Sequence, residues 1–264
     1  MAELSASMLS DQSASVVEND EGSAGVVLIC EHAGQQIPSW ISHFDLDDEV
    51  LSTHIAWDIG AAGLARALSR LLDAPLVLQR YSRLLFDCNR GQDAKDAIIE
   101  QSDSITIPMN NNLLPGDRER RFETVYLPFH QAIDNVIETR MQSGLRPAIV
   151  TVHSFTPILN GQKRDLDLGV LHDSDHGLAD RILSQTEQAD DYNARRNEPY
   201  GPEDGVTHTL ITHGIKRHLP NVMFEVRNDL IGNPQAQEMW AQRLGGLLSG
   251  ALEIDSGSIA TRRL

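Results

Sequence analysis

Pro147-Ala148-Ile149-Val150-Thr151-Val152 runs directly into His153. The stretch is short, apolar and rich in β-branched side chains, so it reads as a strand buried on both faces, as in a parallel sheet. A histidine placed directly after such a strand stands on the rim of the sheet, suited to metal ligation or acid–base work. The alternative is a core histidine satisfied by a backbone partner.

Other apolar runs end in the same abrupt way. Val26-Val27-Leu28-Ile29-Cys30 stops at Glu31-His32-Ala33-Gly34, and Leu84-Leu85-Phe86 stops at Asp87-Cys88-Asn89-Arg90. Leu168-Gly169-Val170-Leu171 is followed by His172-Asp173, and Val222-Met223-Phe224 by Glu225-Val226-Arg227. Leu76-Val77-Leu78 is a further extended segment. Between them the periodicity becomes helical: over Ile59–Leu72, over residues 118–143 with a stripe through Phe122, Val125, Phe129, Ile133, Val136 and Ile137, over 175–188, briefly near 206–214, and over 234–252. Residues 93–117 are polar and form a long loop. Strands alternating with helices predict an α/β fold of three layers, a mixed and largely parallel central sheet with helices on both faces.

Residues 1–24 are rich in Ser, Ala and acidic residues and read as a disordered leader; residues 25–264 are expected to form one domain. No stretch of eighteen apolar residues occurs, which argues against a membrane-spanning helix. The formal net charge of −16 disfavours nucleic acid and anionic membrane surfaces as partners. With only two cysteines, Cys30 and Cys88, no disulfide framework is expected, and a reducing cytoplasm is the natural compartment.

In open α/β sheets ligands bind beyond the carboxyl ends of the strands. If the strands are parallel neighbours, the polar clusters converge on one rim. His32 and His153 then supply two imidazoles for a metal, with a carboxylate and an open position completing a catalytic zinc site. Asp58 is the leading third ligand, with Glu31 the weaker alternative, while Gln35 is too poor a donor. Glu225 ends an apolar strand, where an unpaired carboxylate is costly, and a general base suits that position. Arg83, Asn89, Arg90 and Arg227 are candidates for an anion clamp, against the alternative that Asp58, Asp87 and Glu225 are simply their ion-pair partners. Tyr200, in Asn197-Glu198-Pro199-Tyr200-Gly201, reads either as a residue that covers the site or donates a hydrogen bond to a developing oxyanion, or as part of a simple turn, the two alternatives weighing equally. His54, His130, His208, His213 and His218 fall in helical or loop contexts where exposure is the default, and His172 is intermediate.

Taken together, Glu31-His32-Ala33-Gly34 with Pro38, Asp58-Ile59-Gly60, Arg83 through Arg90, Val152-His153-Ser154, Asn197 through Tyr200 and Phe224-Glu225-Val226-Arg227 resemble the N-formylglutamate amidohydrolase family. The resemblance covers about residues 25–250. It implies a fold like that of zinc carboxypeptidases and phosphorylase/hydrolase-like proteins. It also implies a Zn²⁺-dependent hydrolysis of an N-acyl acidic amino acid such as N-formyl-L-glutamate. His32, His153 and Asp58 would hold the metal and Glu225 would act as base. Arg83, Asn89, Arg90, Ser154, Tyr200 and Arg227 would contact a small anionic substrate. One departure is visible: carboxypeptidases carry His-x-x-Glu in the first motif, and the fourth position here is Gln35. Rival readings are a carboxypeptidase-like or other deacylase activity, a cysteine amidase using Cys30 or Cys88, and a binding protein that kept the fold without turnover.

Overall fold

A computed structural model describes residues 13–41, 46–111, 113–187 and 191–252. Seven strands build its main sheet: β1 (Ser15–Glu18), β2 (Val26–Cys30), β3 (Leu76–Gln79), β4 (Ala148–Phe155), β5 (Leu168–Leu171), β6 (Ala194–Arg196) and β7 (Asn221–Arg227). Their spatial order is β1-β3-β2-β4-β7-β5-β6. The central strands β3, β2, β4 and β7 are parallel, β1 runs antiparallel to β3, and β5 runs antiparallel to β7 with β6 parallel to it.

The principal helices are α1 (Ala61–Leu72), α2 (Leu127–Gln142), α3 (Gly177–Thr186) and α4 (Pro234–Ala251). Leu64 and Leu68 of α1, Leu178 and Ile182 of α3, and Trp240 and Leu244 of α4 pack on Leu28, Val150, Val152, Val170 and Phe224. On the opposite face Phe129, Ile133 and Ile137 of α2 cover Val27, Ile29, Val77 and Ile149. The three expected layers are present because β2, β4 and β7 are apolar on both faces and must be covered twice. The start of α4 is fixed locally: Asn233 Oδ1 accepts from Ala236 N and Pro234 occupies the first turn.

Three expectations change. Ser15–Glu18 lies inside the stretch read as a leader, yet it is an edge strand paired to Leu76–Gln79, with Ala14 buried beneath α2's face of the sheet. Its β-branched Val16-Val17 is diluted by the polar residues around it. Residues 1–12 lie outside the described residues. Leu84-Leu85-Phe86 is buried but not extended; it is a series of turns, with Leu85 N donating to Ser82 O and Arg90 N to Asp87 O. Its apolarity reflects burial of a loop rather than a place in the sheet. Finally, β5 is antiparallel to β7, so His172-Asp173 emerges at the opposite end of the sheet from Glu225.

Candidate active site

Side chains alternate along a strand, so each central strand carries two sequences at once. On the face toward α2, β2 reads Val27, Ile29 and then Glu31; β4 reads Ile149, Thr151, His153; β7 reads Met223 and then Glu225. Ile29 pairs with Thr151 and Thr151 with Met223, and one pleat further on His153 pairs with Glu225. The register therefore changes three strands from uncharged to ionisable in one row. His32, just beyond β2, joins this row from the adjoining turn.

Asp58 arrives from outside the sheet. Its backbone N–H donates to His32 O, which ties its loop to the end of β2. Gly60 then turns the chain into α1 with φ +84°, and a Cβ there would lie 2.5 Å from Ile231 O. Only glycine fits that turn without strain. Thus Asp58 Oδ2 lies 2.9 Å from His153 Nδ1 and 3.3 Å from His32 Nδ1. Ser154 N also donates to this oxygen at 3.3 Å.

The outer nitrogens of both imidazoles face carboxylates. His32 Nε2 is 2.7 Å from Asp87 Oδ1, and His153 Nε2 is 3.0 Å from Glu31 Oε2. Such carboxylate–histidine pairs orient the ring and leave the other nitrogen for a cation. One donor atom each from His32, Asp58 and His153 lies within 4.8 Å of the others, and all three residues are buried. Two imidazoles and a carboxylate with a polar cavity on the fourth side are the donor set of a catalytic divalent-metal site, so these residues fit such an ion.

Electrostatics follow from this crowding. Burial would raise the Asp58 carboxyl, but the neighbouring imidazoles outweigh it and hold the group below the usual carboxylate range. Asp87 is likewise lowered, burial being overcome by Arg83 and His32. Burial disfavours a proton on His153, yet Glu31 and Asp58 on its two sides raise it well above the ordinary histidine value. Glu225 behaves differently. Burial pushes its carboxyl up to about 7, against the pull of His153, and its Oε2 has no hydrogen-bond partner among the described residues.

His32, Asp58, His153 and Glu225 open onto a cavity of about 390 Å³. Arg83 lines it, with Nη2 2.6 Å from Asp87 Oδ2 and Nη1 3.5 Å from Asp58 Oδ1. Ser154 and Tyr200 line it as well, Ser154 Oγ donating to Ile59 O. Gly169, opposite Glu225 in the sheet, lets the Tyr200 loop press close, since a Cβ there would lie 2.1 Å from Glu198 O.

The expected anion clamp is altered. Asn89 reaches the cavity, but its Nδ2 donates to Val206 O and its Oδ1 accepts from Thr209 N, so both amide atoms hold backbone. Arg90 is at the wall with Nε on Asp96 and Nη1 on the Asn89 and Gly205 carbonyls. Arg227 is not a cavity residue. Asp167 and Asp229 capture it at 2.9 and 2.8 Å beyond the end of β7.

The cysteine alternative finds no support either. Cys30 is buried under α1 on the other face from Glu31, Cys88 donates toward backbone and accepts from Gln79, and burial raises both thiols. Gln35 lies in a separate surface depression. The ring-backing role of Glu31 and the cavity position of His54 were not read from the sequence. A carboxylate directly after an apolar strand was the available signal for Glu31; His54 offered none.

The sequence matches the N-formylglutamate amidohydrolase family over residues 24–232. The crystal structure of a gene product from Agrobacterium tumefaciens is similar at 44% identity, covering 92% of this chain and 96% of that one, with a TM-score of 0.89. The crystal structure of N-formylglutamate amidohydrolase from Ralstonia eutropha JMP134 is similar in fold, with 19% identity, a TM-score of 0.68 and coverage of 92% and 98%. No curated protein matches the sequence significantly. With four-fifths of its length matched, this chain belongs to the N-formylglutamate amidohydrolase family, a family of amidohydrolases.

Proposed function

We propose that the protein hydrolyses the amide bond of a small N-acyl amino acid, N-formyl-L-glutamate being the reference compound, with a divalent cation, Zn²⁺, held by His32, Asp58 and His153. The observation that carries this reading is the pairing of the two rings: each turns one nitrogen toward Asp58 and rests the other on a carboxylate. When bound, the ion supplies a Lewis acid for the amide carbonyl and makes the attacking water more acidic.

The protein's own groups do the rest. Glu225, buried at the cavity with an unpartnered oxygen and a carboxyl raised to about 7, takes the proton of the attacking water and passes it to the leaving nitrogen. Arg83, fixed between Asp58 and Asp87 at the cavity wall, supplies positive charge for the carbonyl oxygen as it becomes negative. A cavity of about 390 Å³ suits an acyl-amino acid better than a polypeptide. No helix among the described residues is long and apolar enough to cross a membrane, and both cysteines are unpaired, in keeping with work in the cytoplasm by a single-domain enzyme.

The test is metal content measured together with turnover of N-formyl, N-acetyl and N-succinyl amino acids. Stoichiometric divalent metal with hydrolysis of one acyl series is expected. A metal-replete preparation that binds no ion and hydrolyses none of them would sink the reading.

A further inference from the structure

We infer that Arg164, together with the Tyr200 hydroxyl, receives a carboxylate of the substrate. This rests on the reading of the cavity as an acyl-amino-acid site, and it places an anion contact at the wall formed by Phe155, Thr156 and Tyr200.

Arg83 and Arg90 are the arginines that line the cavity, and each already has a carboxylate partner, Asp87 with Asp58 for one and Asp96 for the other. Arg227 is bound by Asp167 and Asp229. Arg164 is different. Its contacts among the described residues are neutral: Nη1 donates to Tyr200 Oη at 2.9 Å and to Thr156 O at 3.5 Å. Its guanidinium lies 4.8 Å from the Tyr200 ring centre and 5.8 Å from that of Phe155. Phe155, Thr156 and Tyr200 all line the cavity, so a guanidinium with no anionic partner among the described residues adjoins three of its lining residues.

Geometry favours an acceptor there. Tyr200 Oη accepts from Arg164, which leaves the phenol hydrogen to donate to an oxygen inside the cavity. Arg164 itself is held by a hairpin, Ile158–Leu159 paired with Gln162–Lys163, closed by Asn160 at φ +50° and Gly161 at φ +76°. Its backbone N–H donates to Pro157 O at 2.9 Å across the base of that hairpin. Asn-Gly with both φ positive is the tight turn that fits strand twist, so the arginine is presented from a fixed base. A planar guanidinium next to a phenol is well matched to one carboxylate.

The experiment compares the metal-loaded protein with Arg164→Gln on three compounds: N-formyl-L-glutamate, N-formyl-L-glutamine and N-formyl-L-isoglutamine. The two amides each lack one carboxylate, so they separate the α-carboxylate from the side-chain one. Wild type is expected to prefer one amide over the other. Arg164→Gln is expected to raise KM for the preferred compounds by roughly ten- to hundredfold, with kcat little changed, and to erase that preference. An undiminished preference in the variant, or a fall in kcat at constant KM, overturns the assignment. If wild type hydrolyses none of the three, the hydrolytic reading fails, and Arg164 is judged by calorimetric binding of L-glutamate to both proteins. Weaker binding to the variant upholds its role, whereas equal binding, or binding to neither, overturns it. Should Arg164→Gln fail to fold, Tyr200→Phe keeps the ring and removes only the hydroxyl. A smaller rise in KM supports the subsite and an unchanged KM overturns it.

Discussion

The two faces of the central sheet are made from the same three strands and have opposite characters. Toward α1 and α4, Val150-Val152 and Val222-Phe224-Val226 stay apolar to the last pleat. Toward α2, the same strands become polar at Glu31, His153 and Glu225. One face can be spent entirely on packing because it carries no chemistry. The other gives up its last row of apolar contacts, and the buried charges there are tolerable only because they hold one another. Damage to one face should therefore appear as lost stability, and damage to the other as lost chemistry in a protein that still folds.

The largest effect is expected from Glu225→Gln. It should lower kcat by about 10²–10⁴-fold while metal content and melting temperature stay close to wild type, and unaltered turnover would remove Glu225 from the role of base. Its counterpart on the packing face is the neighbouring Phe224→Ala, which should cost ~3–5 kcal/mol in denaturant unfolding but leave metal stoichiometry at one ion per chain. Loss of metal without loss of stability in that variant would break the division between the faces. Glu31→Gln should weaken metal affinity by roughly 10–100-fold in a competition titration, since it removes the carboxylate behind the His153 ring.

A smaller effect concerns pH. His130 of α2 is buried, with Nδ1 2.7 Å from His213 Nε2 and Nε2 2.9 Å from Cys88 O. Burial first, then His213 and His208, lowers its imidazole to about 3. The unfolded chain takes that proton near pH 6.5. The stability linked to His130 is therefore fully present above about 6.5 and is lost as pH falls from there toward 3. Melting temperature should decline across that window, and His130→Gln should flatten the decline. The smallest expected effect is from alkylation of the native protein, which should leave turnover intact because both thiols are buried.

The sequence was legible where one strand told its own story. The run into His153, the run into His32 and the strand ending on Glu225 each announced a rim position, and the pleat placed two of them side by side. What could not be read was direction and partnership. Nothing in Leu168–Leu171 reveals that it runs antiparallel, so His172 was grouped with a rim from which it points away. Arg227 has the composition of a substrate ligand, and only the fold shows Asp167, sixty residues earlier in the chain, waiting for it. Asn89 likewise resembled a ligand because its amide suits a carboxylate and a peptide group equally well.

That last residue has a consequence for the way the cavity meets a small molecule. By binding Val206 O and Thr209 N at once, Asn89 staples the 202–217 segment to the Asp87–Arg90 turn before anything arrives. The wall is ordered during folding, and its conformational entropy is surrendered then rather than at association. The receptor is preorganised, so affinity is not diminished by having to assemble this side of its own pocket.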